Sequence, residues 1–117
     1  MKILAYAIDL VNDSSIIKKY KEYHRNVFPE VLAAGEKQGI LDQKIFLLGN
    51  RLFMVLRATD DYDPAAQSDY IADERCAEWD EMMRSFQIPL SSAAEGEWWA
   101  QMELVYDKAW YKDIKDR

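Results

Sequence analysis

The chain has 117 residues, half of them hydrophobic, with a formal net charge of −6 and a calculated pI near 4.7. That is enough apolar material for one ordinary domain, and the acidity, without any Lys/Arg cluster, argues against a nucleic-acid binder or a protein held on an anionic membrane. A single cysteine, Cys76, allows no internal disulfide, and neither a transmembrane window nor a signal-peptide pattern occurs. The expectation is a soluble cytoplasmic protein with one domain over 1–117, its core reaching residue 107 and a C-terminal extension over 108–117.

The first apolar run, ILAYAIDL at residues 3–10, reads as a strand. Asn12-Asp13-Ser14-Ser15 then offers several helix caps. Ile16, Tyr20, Tyr23, Val27 and Val31 follow at steps of three and four, with lysines on the opposite face, which predicts an amphipathic helix. Pro29 kinks or restarts it, because proline has no N–H to give, and Gly39 marks its end. Residues 40–48 and 51–59 read as two strands joined through Gly49-Asn50, a two-residue hairpin signal. After the loop TDDYDP a second helical region covers about 65–86, with Ala72, Cys76, Trp79, Met83 and Phe86 on one stripe. QIPLSSAAEGE reads as a loop. WWAQMELVY, residues 98–106, reads as a last strand, with Trp98 and Trp99 on opposite faces if it is regular. The terminal KDIKDR is charged and reads as a frayed end.

The resulting order, β-α-β-β-α-β, is the ferredoxin-like pattern: an antiparallel sheet with both helices on one face. The first and third strands carry apolar residues on both sides, so the other face needs a cover as well. A second copy packed sheet to sheet, a dimeric α/β barrel, supplies it.

Chemistry concentrates around YKEYHRNVFPE. His24 is the only histidine and lies four residues after Tyr20, so both project from the apolar face of the first helix. The ordinary fate of such a histidine is a satisfied core group. Two tyrosines and an imidazole on one face, where leucine would pack more cheaply, favour a polar site instead. Histidine also exchanges protons near neutrality. One His and one distant Cys do not make a zinc pattern, and no Gly-rich phosphate loop occurs, so neither a metal nor a nucleotide cofactor is indicated. Cys76 lies on the buried stripe and reads as inert packing. Trp79 reads as core on its own and Asp80 as a solvated carboxylate. Glu97, Trp98 and Trp99 form a dense acidic and aromatic stretch that could line a cleft. Aromatic rings also suit the C–H faces of sugars.

Tyr20, His24, Phe28, Pro29 and Glu30, with CAEWDEMM downstream, resemble the pattern Y-x-x-x-H-x-x-x-[WF]-P-E of the L-rhamnose mutarotase family, and the likeness covers nearly the whole chain to about residue 107. The resemblance implies a homodimeric α/β barrel that interconverts the α and β anomers of a 6-deoxy-L-hexose without a cofactor. It implies His24 as the catalytic acid, with Tyr20 and Trp79 against the sugar. Two positions depart from the family. Gln43 stands where a tyrosine is usual, and Asp80 where a second tryptophan follows the first. Both positions contact sugar in the family, so the substrate here need not be L-rhamnose. FQIP followed by GEWWAQMELVY resembles a branch linked to L-fucose. Two other readings are compatible with the same fold: an oxygenase of aromatic substrates that uses neither metal nor flavin, and a non-enzymatic small-ligand or assembly module.

Overall fold

The computed structural model describes residues 1–64 and 73–111. Strand β1, Lys2–Leu10, runs through the middle of the sheet. Helix α1, Ser14–Tyr23, starts at Asp13, whose carboxylate accepts the N–H groups of Ser15 and Ile16 and thereby satisfies donors that the first turn leaves free. The Ser15 hydroxyl, which also donates to it, and then these two N–H groups hold the Asp13 carboxyl below its usual range. Helix α2, Pro29–Gln38, is a fresh start: Pro29 occupies its first turn, where no N–H is needed, and five residues separate it from α1. It ends at Gly39, whose φ of +97° is left-handed. A Cβ at Gly39 would sit 2.3 Å from Thr59 Oγ1, so this turn requires glycine.

Strands β2, Ile40–Leu48, and β3, Arg51–Ala58, form the hairpin that the Gly49-Asn50 signal predicts. Gly49 has φ +63°, and no non-glycine residue described has positive φ, as expected of a turn that needs glycine at its first central position. Asn50 ties this turn to the end of β1: Leu10 N–H donates to the Asn50 carbonyl at 2.7 Å, and Asn50 Nδ2 donates to the Leu10 carbonyl at 2.9 Å. Helix α3, Glu74–Phe86, is capped by Asp73. The stripe Cys76, Trp79, Met83 and Phe86 is buried as its spacing predicts, while Ala72 and the earlier part of the expected helix lie outside the described residues.

The strand order is β2-β3-β1-β4, all pairs antiparallel. Two sequence expectations are corrected at its edge. Gln87–Ile88, expected as loop, forms β4 and pairs with Asp9–Leu10. The final strand, expected over 98–106, shrinks to β5, Ala100–Gln101, paired with Tyr6–Ala7. Because β3 already bonds β1 from Lys2 to Asp9, β4 and β5 share the other edge of β1 and together fill one strand position. Only Met102 N–H extends the pairing, to the Ala5 carbonyl at 2.7 Å, and residues 102–106 continue as an exposed chain. A 3₁₀ turn at Lys108–Tyr111 follows, and the KDIKDR end lies outside the described residues.

Register assigns the faces. Leu4, Tyr6, Ile8 and Leu10 lie opposite Leu56, Met54, Leu52 and the hairpin turn, and continue on β2 as Gln43, Ile45 and Leu47. This face packs against the helices: Ile8, Leu10 and Leu52 form one buried cluster with Tyr20, Trp79, Met83 and Phe86. The opposite face carries Ile3, Phe46, Leu48 and Val55, all exposed within a single chain.

Candidate active site

Two adjoining hollows of about 860 and about 900 Å³ open between the helices and the sheet, with Tyr20, His24, Gln43 and Trp79 in the walls of both. That size lies within the range of about 300–1,000 Å³ usual for small-molecule sites.

His24 sits at the C-terminal end of α1, half-buried. Its ring stacks on Tyr20 with centroids 4.2 Å apart and meets the edge of Trp79 at 5.3 Å. Nδ1 lies 2.9 Å from the Tyr20 carbonyl oxygen. A carbonyl only accepts, so Nδ1 carries the hydrogen, and in the neutral ring Nε2 holds the lone pair. Burial lowers the His24 pKa from its usual 6.5, against the opposing pull of that backbone bond. The resting imidazole is therefore neutral, with Nε2 as the one nitrogen able to move a proton.

Tyr20 is both core and site. It is 4% exposed, and burial pushes its hydroxyl up to about 12, so at rest it is a neutral phenol. Trp79 is likewise shared: buried against Ile8 and Leu10, edge-on to His24, Tyr23 and Phe28, and a wall of both hollows. The α2 start locks to this group, because Phe28 has its ring against Trp79 at 5.1 Å and the Arg75 guanidinium over its other side at 3.8 Å. Pro29 and Glu30 thus serve as helix start and first-turn acid rather than as cavity groups.

The weaker candidates separate clearly. Gln43 lines both hollows, and its Nε2 lies 2.9 Å from Met54 Sδ, a weak acceptor that a sugar hydroxyl would outcompete. Asp80 lines the second hollow, and its partly exposed carboxylate accepts from Arg84 Nε at 2.9 Å, one turn on in the same helix. Glu97 Oε1 accepts the Ala94 N–H at 2.8 Å and braces the loop before the tryptophans. Trp98 and Trp99 lie before the short β5 rather than in a regular strand, and both line the second hollow. Cys76 is fully buried, its thiol 3.5 Å from the Glu30 carbonyl and pushed up by burial, as inert packing requires.

Two residues at this site escape the motif-based reading. Gln87 is the buried polar residue of the described chain, placed between Tyr20 and Trp98. The signal for it is a polar residue four positions after Met83, where the apolar stripe would continue. Tyr6 lines the second hollow, and its buried hydroxyl has no partner among the described residues. Burial, with Tyr62 and Glu97 nearby, pushes that hydroxyl up to about 12. Inward alternation in 4–10 could have picked it out. No group of three or more metal-binding side chains occurs among the described residues.

The chain is similar to known proteins over most of its length. Residues 4–108 match the L-rhamnose mutarotase family. A UPF0734 protein of Dictyostelium discoideum is 46% identical over 116 residues, covering 95% of this chain and 93% of that protein. The L-fucose mutarotase of Xanthomonas campestris is 38% identical over 109 residues, covering 91% and 87%. Among solved structures, an L-rhamnose mutarotase from Formosa agariphila superposes with a TM-score of 0.67 at 19% identity, over 92% of this chain and 98% of the other. Tetracenomycin F2 cyclase from Streptomyces glaucescens, a polyketide cyclase, gives 0.62 at 11% identity, over 92% and 96%. Those two establish the shared fold; the family match and the Xanthomonas relative establish more. The chain belongs to the L-rhamnose mutarotase family.

Proposed function

We propose that this protein is a mutarotase of 6-deoxy-L-hexoses, with L-fucose the preferred sugar, and that His24 is the group that moves the proton. The observation that carries the reading is the imidazole itself: tied through Nδ1, stacked on a phenol, and free at Nε2 beside a hollow large enough for a pyranose.

The chemistry asks for little. Because the resting ring is neutral, Nε2 accepts the proton of the anomeric hydroxyl, the most acidic hydroxyl of the sugar. That O–H electron pair becomes the second bond of a C1 carbonyl, and the C1–O5 pair moves to O5. The Tyr20 hydroxyl gives O5 a proton, since a phenol is a stronger acid than the alcohol that forms. The aldehyde turns about C1–C2 and O5 adds to the other face of C1. O5 returns its proton to the phenoxide, and the imidazolium returns its own to O1. Atoms and charge balance with no metal or redox group in any step. General acid–base help of this kind is typically worth ~10²–10⁴ in rate. His24 is thus a base first and an acid on the return.

L-Fucose and L-rhamnose differ in configuration at C2 and C4, neither of them an atom of the bond that breaks. Polar wall groups therefore decide between them. Gln43 and Asp80, the departures from the family pattern, are such groups, and the Xanthomonas relative is an L-fucose mutarotase. A homodimer closed through the open sheet face is supported by exposed Ile3, Phe46, Leu48 and Val55, joined by Met102 and Leu104 of the chain after β5. A cytoplasmic setting is supported by the single buried thiol, and among the described residues no helix is long and apolar enough to cross a membrane.

Saturation-transfer NMR on L-fucose, L-rhamnose and a D-hexose control tests the reading. The expected result is fast anomer exchange, strongest with L-fucose and abolished in His24→Ala. Full exchange by folded His24→Ala overturns the catalytic assignment. Oxygen uptake with a phenolic substrate and no anomer exchange would favour the oxygenase alternative.

A further inference from the structure

Gln87 sits at a junction that motif reading passes over. It is 8% exposed, at the end of α3 where β4 begins, and its side chain bridges two cavity walls. Trp98 Nε1 donates to Gln87 Oε1 at 2.8 Å, and Gln87 Nε2 donates to the Tyr20 hydroxyl oxygen over a longer 3.5 Å. The direction of this chain is not free. An indole N–H can only donate, so the amide oxygen must face Trp98 and the NH₂ must face Tyr20. The Tyr20 oxygen is then an acceptor toward Gln87, and its own O–H hydrogen is left for something else. No other partner of that hydroxyl occurs among the described residues, and Tyr20 lines both hollows.

We propose that Gln87 is a positioning residue: read from the donor-only indole of Trp98, its amide sets the Tyr20 hydroxyl as a hydrogen-bond donor aimed at the sugar. The inference rests on the mutarotase reading and adds to it the device that fixes Tyr20's direction. It also explains a buried amide where an apolar residue would pack at lower cost. Arg84 over the Trp98 ring, at 4.6 Å, holds the far end of the chain in place.

The decisive variant is Gln87→Glu. It keeps the shape and the Trp98 bond, but an ionised carboxylate only accepts, so it turns the Tyr20 hydrogen away from the cavity. The expected result at pH 7.5 is a loss of kcat/KM of about tenfold or more, equal to Tyr20→Phe, with no further loss in the double variant. Acidification protonates the new carboxyl, which can then donate to Tyr20 again. The ratio of Gln87→Glu to wild-type activity therefore rises as pH falls. Wild-type kcat/KM in folded Gln87→Glu, losses that multiply with those of Tyr20→Phe, or a pH-independent ratio each overturn the proposal. Should the buried carboxyl prevent folding, Gln87→Met with Tyr20→Phe forms the same cycle, with multiplying losses again the overturning result. Wild-type exchange is measured first. Its absence with every sugar defeats the functional reading alone, because the ¹³Cζ shift of Tyr20 still reports its hydrogen-bond state. A shift unmoved between wild type and Gln87→Met defeats the present proposal alone.

Discussion

The proton chemistry proposed for His24 rests on one short contact. The Tyr20 carbonyl that fixes its tautomer lies one helical turn back on the same helix, so donor and acceptor come from five consecutive residues. Sequence spacing could place imidazole and phenol on one face; it could not say which nitrogen was committed. The lowered pKa has a definite sign. kcat/KM should be level above pH 6.5 and fall on acidification with an apparent pKa below that value, as Nε2 becomes protonated. The same shift favours the fold above pH 6.5, and its contribution is lost as pH falls from 6.5 through the folded pKa, since the unfolded chain takes up the proton first. A pH–rate profile from pH 5 to 8 checks the first, and thermal melts across that window check the second. A rate that rises toward pH 5 would mean that the imidazolium starts the reaction. Asp80 is a different case. Its pair with Arg84 is half-exposed and of the kind that contributes little to stability. Asp80→Asn should leave Tm within a degree or two and raise KM for L-fucose severalfold at nearly constant kcat, measured by exchange NMR. A large loss in kcat would assign the second proton transfer to Asp80 instead of Tyr20.

At the scale of the element, the site depends on breaks in regular structure. The chain leaves α1 after Tyr23 and re-enters helix at Pro29, and between the two Phe28 meets Trp79. Pro29 restarts the helix and Gly39 ends it in a conformation that other residues adopt only under strain. Gly39→Ala is expected to cost about 1–3 kcal/mol, more than the ordinary gain from replacing glycine, because its Cβ would meet Thr59 Oγ1. Urea unfolding measures it, and an unchanged midpoint would contradict the geometry. The short β4 and β5 are the counterpart at the sheet edge. Apolar alternation in WWAQMELVY suggested nine residues of strand, but only two pair. Alternation records where apolar side chains fall. It does not record whether the backbone pairs: β4 takes only Asp9–Leu10 of this edge of β1 and β5 only Tyr6–Ala7, and the chain leaves the ladder after Met102.

For the whole molecule, the outer sheet face stands open, with large apolar side chains set among Lys44, Arg51 and Arg57. Phe46 and Leu48 on β2 are 57% and 75% exposed, beside Val55 and Ile3 in the same face. Contiguous apolar surface of this kind marks an association face. Phe46→Lys should convert a dimer to a monomer in sedimentation velocity at micromolar concentration, because a charge would be buried against the partner's copy of the same face. A wild-type protein that sediments as a monomer at that concentration refutes the dimer. Dissociation with anomer exchange retained would show that one chain suffices for catalysis.

The order of elements, the hairpin at Gly49-Asn50 and the inward face of the first helix were decided locally, by periodicity, glycine conformation and the missing N–H of proline, all of which act within a few residues. The pairing of His24 with Tyr20 belongs here too, since both lie within one turn of helix. What only the tertiary structure decided were contacts between segments far apart in the chain: Trp79 beside His24, Gln87 between Tyr20 and Trp98, and a last strand cut to two residues. Those outcomes depend on which edges and cavities remain once the helices have packed on the sheet, and no local pattern encodes that remainder.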